Sequence, residues 1–149
     1  MSSLYVREQV KQFLADESDE TVVDLTAEYE EIHQLLADSE VQPDAPWLGI
    51  EFLGDEELPI ALAATNDQGK YREFGAIFLH VVDVARLGAG NGLLTRGEDL
   101  RNLFRGRRIG SILITGMTTM NFANGATLEF EGGYMSGSFQ VSYQRDLDL

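Results

Sequence analysis

Cysteine is absent from the 149 residues, which excludes a disulfide framework, a thiolate nucleophile and any cysteine-ligated metal site. Histidine is nearly as scarce. Only His33 and His80 occur, so a multi-histidine metal centre is excluded as well, and no metal or cofactor is expected. No run of roughly eighteen apolar residues is present, so neither a membrane-spanning helix nor a membrane partner is expected. The opening MSSLYVREQVKQF has no basic region followed by a continuous apolar block, so no secretory signal is expected. Lysine is confined to Lys11 and Lys70 beside nine arginines, a bias that a salt-rich host would favour. These absences lead to the expectation of a soluble protein of the cell interior, or of an assembly built there.

What is plentiful is negative charge. The net charge is −14, and it is unevenly spread. The segment 1–69 carries 17 Asp and Glu against Arg7 and Lys11, whereas 70–149 carries 8 acidic against 9 basic residues. Such a chain repels the phosphate backbone at long range, so general nucleic-acid binding is not expected. A surface past which DNA must slide without sticking would nevertheless be acidic, and solubility alone also accounts for acidity. The length and the 44% hydrophobic content suit one domain with a real core.

Periodicity supplies the elements. Ser2 or Ser3 can cap a helix over 4–15, with Val6, Val10, Phe13 and Leu14 on one stripe. TVVDL (21–25) reads as a short strand. Thr26 then caps a second helical stretch over 27–38, in which Tyr29, Ile32, Leu35 and Leu36 share a face beside His33. A linker with two prolines follows at 39–46. The segment 47–54 alternates as a strand, with Leu48, Ile50 and Phe52 on one side. Residues 55–71 read as a long loop holding an apolar patch, Leu58, Ile60, Ala61 and Leu62; loops and patches of this kind mark partner contacts.

The segment 72–88 is the strongest strand. Phe74, Ala76, Phe78, Val82 and Val84 form one face, Ile77, Leu79 and Val81 the other, which predicts cover on both sides. His80 is the polar exception on the first face, expected to be a hydrogen-bonded core or interface residue. A strand over 111–122 and a short strand or protruding loop at 127–131 follow. The last strand, 134–146, places Met135, Phe139, Val141 and Tyr143 in the core and Ser136, Ser138, Gln140, Ser142 and Gln144 on a neutral polar face. The fold class expected is α+β: an antiparallel sheet of about four main strands with two to three helices on one face.

The stretch GAGNGLLTRGEDLRNLFRGRRIG (88–110) invites a search for phosphate chemistry. A P-loop needs a lysine that GAGNGLLT lacks, and a dinucleotide fingerprint needs a glycine where Leu93 stands. The residues instead suit a turn into a helix. Asn91 can cap it, or Thr95 and Glu98 can act as a capping box. Leu93, Gly97, Leu100 and Phe104 form a packing stripe, and Gly106 can end the helix in the left-handed conformation. Arg101, Arg105, Arg107 and Arg108 come late, where the helix dipole favours cations. There is no G-x-S-x-G motif and no calcium loop, so no enzymatic activity is expected.

Three stretches, APWLGIEFLG, KYREFGAIFLHVVDVARLGAGNGLLTRGEDLRNLFRGRRIGSILI and GGYMSGSFQVSYQRD, taken in order and spacing, resemble the tail terminator proteins of long-tailed phages and related viruses. The likeness covers roughly residues 1–20 and 46–147. Residues 21–45, with the acidic helical stretch, depart from the plan as an insertion into an otherwise single domain over 1–149. The resemblance implies a structural virion protein at the head-proximal end of the tail, assembled in the host cytoplasm. It would form a homohexameric ring that caps the tail tube, stops its growth and meets the head–tail connector. Its implied partners are further copies of itself, the major tail tube protein, neck proteins, and genomic DNA that passes without specific binding. Leu58, Ile60 and Leu62 in the 55–71 segment and the glycine-rich 123–133 segment are the contact regions expected. Arg72, Arg105, Arg107 and Arg108 are expected to pair across the ring with acidic residues of the first half, although a solvated charge accounts for each equally well. Another head–tail joining or tail-completion protein, or more distantly a small cytosolic enzyme or ligand-binding protein, remains as an alternative.

Overall fold

The computed structural model describes residues 3–25, 41, 45–61, 70–84, 89–122 and 134–148. The chain is α+β, as expected. Helix α1 spans Leu4–Glu17, followed by β1 (Val22–Asp24), β2 (Trp47–Ala61) and β3 (Lys70–Val84). Helix α2 spans Ala89–Phe104 and leads through β4 (Arg108–Ile109) and β5 (Ile112–Met117) to β6 (Tyr134–Asp148). The strands form one sheet in the order β1-β2-β3-β6-β5-β4.

The four main strands expected are present, TVVDL supplies the short strand β1, and β4 brings the sheet to six. The antiparallel sheet expected is corrected to a mixed one, because β1 runs parallel to β2, Val22 opposite Leu48. All other pairings are antiparallel. Being parallel, β1 and β2 run in the same direction from the same end of the sheet. The segment 55–71 is not a loop throughout. β2 continues to Ala61 and pairs with β3 as far as Lys70, with irregularities between Gly54 and Glu56 and between Pro59 and Ala61. Those bulges admit the acidic run and Pro59 into a strand, which hid the strand from an alternation test.

Both described helices pack on one sheet face. Val6, Val10 and Leu14 of α1 and Leu93, Leu100 and Phe104 of α2 are buried against Leu48, Ile50, Phe52, Ile77, Leu79, Val81, Phe139, Val141 and Tyr143. Each large side chain removed from water contributes about 1.5–3 kcal/mol before the entropy of ordering is set against it. Phe13 meets Phe104 at 5.3 Å between ring centroids, joining the two helices. At α1's start, Ser3 caps Val6 N–H, and Glu73 of β3 accepts both the Ser3 N–H at 3.0 Å and its hydroxyl at 3.1 Å. A strand carboxylate thus reinforces a helix cap from 70 residues away.

Helix α2 starts at Ala89, earlier than a cap at Asn91 would allow. Asn91 lies inside it, where its carbonyl accepts the Thr95 hydroxyl at 3.0 Å, so Thr95 does not begin a capping box. Gly106 ends the turn after it with φ +65°, as anticipated. Gly97 faces Met120, with no room for a β-carbon between them. The close approach expected of this glycine is therefore made to the chain leaving β5. The helical stretch expected over 27–38, the patch residue Leu62 and the segment 123–133 lie outside the described residues.

Candidate functional site

The face of the sheet turned away from the helices carries the candidate site. Strand register defines its rows. Leu53 stands opposite Ala76, and Ala76 opposite Ser142. Phe74 lies opposite Gln144, which continues through Leu113 to Arg108. Phe78 pairs with Glu51 on one side and Gln140 on the other. Phe74, Ala76, Phe78 and Leu113 are half-buried, and Leu53 is 49% exposed. At one end Trp47, Val82 and Val23 are buried, with Leu25 and Val41 packed on them. The two-sided apolar character read in β3 is thus real. The helices cover one side; among the described residues the other side is fully buried at the Trp47 end and half-buried along Phe74, Ala76 and Phe78.

Within this face, three strands bring together groups far apart in sequence. His80 of β3 is 5% exposed. Its Nδ1 lies 2.7 Å from the Ser138 hydroxyl of β6, and its Nε2 lies 2.9 Å from a Glu51 carboxylate oxygen of β2. A carboxylate can only accept, so Nε2 carries the proton and Nδ1 accepts from Ser138 O–H. Burial pushes the His80 pKa below its usual value, and the Glu51 charge and hydrogen bond act against that shift. The imidazole is accordingly neutral near pH 7. Beside it opens a cleft of about 370 Å³. Phe78, Thr118, Thr119, Asn121, Ser138 and Gln140 are among its lining residues, none of them charged. His80 was foreseen as hydrogen-bonded; its partners were not, because pairing across three strands leaves no local spacing to read.

The arginines divide. Arg72 reaches Asp146 at 2.6 Å and 3.2 Å across β3 and β6, and that carboxylate raises its pKa further. Arg107 turns back on its own chain, donating to the Leu103 carbonyl at 3.2 Å, lying 4.0 Å from Glu17 and 5.7 Å from the centre of the Phe13 ring. Arg105 and Arg108 are exposed and make no ion pair among the described residues. Arg108 borders a small hollow with Ser111, Leu113, Gln144 and Asp146 on the open face. The fold therefore brings Arg72 and Arg108 to one end of that face and leaves Arg105 and Arg107 at the end of α2. Leu58 and Ile60 belong to β2, but their side chains lie outside the described residues.

Other cations serve the interior. Arg96 holds Glu20 at 2.6 Å and 3.0 Å and also donates to the Val82 and Trp47 carbonyls. Arg7 and Lys11 share Asp24, at 2.8 Å and 2.5 Å. Among the described residues no group of three or more acidic or histidine side chains could hold a metal, and no helix is long and apolar enough to cross a membrane. In comparisons with known proteins, no protein-family model matches the chain, and no curated protein matches it significantly.

Proposed function

We propose that this chain is a ring-forming structural subunit of a virus particle, a tail terminator that caps the tail tube and joins it to the head connector. The observation that supports this reading is the partly covered sheet face. Leu53, Phe74, Ala76, Phe78 and Leu113 lie on it among neutral Gln140, Ser142 and Gln144, on a molecule of net charge −14. An apolar strip flanked by Glu51 at one end and by Arg72, Asp146 and Arg108 at the other, on so acidic a molecule, is suited to another protein surface rather than to water or phosphate.

A second copy is the natural occupant. Arg105 and Arg108 are exposed cations without a partner among the described residues, and the acidic excess sits in the first half of the chain. A head-to-tail contact would set these arginines against a neighbour's carboxylates, and repetition of such a contact closes a ring. The acidic exterior then suits a channel that lets DNA pass without retention. Another head–tail joining protein would use the same face at a different position in the particle. The functional test is tail-tube growth in vitro: the purified chain is expected to arrest elongation and remain at one end of the tube, and continued elongation would contradict the reading.

A further inference from the structure

We propose that Ser138 is a nucleophile activated by His80, able to take an acyl group from small uncharged esters that enter the cleft beside it. Three observations meet at this hydroxyl. The Ser138 O–H is 2.7 Å from His80 Nδ1, within the range for proton transfer to a general base. Glu51 fixes the imidazole from its other nitrogen at 2.9 Å, which holds the proton on Nε2 and leaves Nδ1 as the acceptor. Ser138 is also among the residues that line the 370 Å³ cleft, which places it beside space that a ligand can occupy. The order carboxylate, imidazole, hydroxyl is that of a base-activated serine, with the two ring nitrogens exchanged relative to the usual arrangement.

The step is balanced without any further reagent. Ser138 Oγ bonds to the ester carbonyl carbon while its proton passes to His80 Nδ1. The imidazolium, stabilised by Glu51, returns that proton to the departing alkoxide as the ester C–O bond breaks. The products are an alcohol and acyl-Ser138, which water hydrolyses by the same route in reverse. Thr118, whose Oγ1 accepts the Gln140 backbone N–H at 2.9 Å, lines the same cleft and brings a hydroxyl to it. The uncharged lining, set in a strongly anionic molecule, selects neutral substrates over carboxylates and phosphates.

The cleft shares Phe78 and Gln140 with the strip proposed to meet a second copy, so assembly through that face would cover it, and the activity is tested on the dissociated subunit at low protein concentration. The full chain is treated with an alkyl fluorophosphonate, which forms a Ser–P bond with loss of fluoride, and the adduct is located by peptide mass mapping. One adduct per chain at Ser138 is expected, with none in S138A. Labelling is expected to slow about 100-fold in H80Q and on the order of tenfold in E51Q. E51Q changes a half-exposed side chain and keeps the test valid if H80Q does not fold. No adduct on the folded wild type, labelling only elsewhere, or equal rates in wild type and E51Q would overturn the proposal. Native mass of the same samples reads assembly independently.

Discussion

At the scale of single residues, buried polar groups decide more than the exposed charges that dominate the composition. Glu73 is 4% exposed, caps the Ser3 end of α1 and lies 3.9 Å from Arg145. Replacing it by Ala removes an acceptor from two donors and leaves Arg145 without this partner. E73A is therefore expected to cost about 2–4 kcal/mol in urea unfolding, whereas an exposed carboxylate such as Asp19 is expected to cost less than about 0.5 kcal/mol. His80 carries the pH dependence. Its pKa is lowered in the folded state, mainly by burial. Above the unfolded value of about 6.5 both states are neutral and no linkage arises. As the pH falls below that value the unfolded chain gains a proton that the folded one resists, so stability declines toward the folded pKa. Melting temperatures measured from pH 7.5 to pH 5 are expected to fall more steeply for the wild type than for H80Q, and parallel curves would exclude His80 as the source.

At the scale of elements, close packing explains both what could be read in advance and what could not. Gly97 and Met120 make a sharp test. G97V puts side-chain volume where Met120 already lies, with an expected cost of about 1–3 kcal/mol. M120A is expected to recover part of it in the double variant, and strict additivity would show that the two do not share the space. The stripes of α1 and of α2, the core face of β6 and the left-handed turn at Gly106 were legible because periodicity and φ preference are local. β2 beyond Gly54 was not, since bulges at Gly54–Glu56 and Pro59–Ala61 break the alternation that marks a strand. The parallel pairing of β1 with β2 was hidden too, because direction depends on a long connection and not on residue pattern. The Glu51–His80–Ser138 chain needed the register of three strands. Of the arginines singled out in sequence, Arg72 and Arg107 proved to have intrachain partners, for which their spacing gave no sign.

At the scale of the whole molecule, the sheet has two unlike faces, and an acidic first half stands against Arg105 and Arg108, which make no ion pair among the described residues. If copies join through the open face, charges placed on it should separate them while leaving each subunit folded. L53E with F74E is expected to abolish self-association with little loss of stability, because Leu53 is half-exposed and neither side chain belongs to the helix-covered core. R105E with R108E is expected to weaken association by about tenfold or more, and the loss should shrink at low pH as neighbouring carboxylates are neutralised. Unchanged association in the arginine variant would exclude pairing across the interface and leave the apolar strip as its basis. The most direct measurement of the central claim is native mass across a range of protein concentrations. The account predicts a ring, expected to be a hexamer, that dissociates on dilution and is lost in L53E/F74E. A wild-type chain that stays a single subunit at every concentration would contradict it.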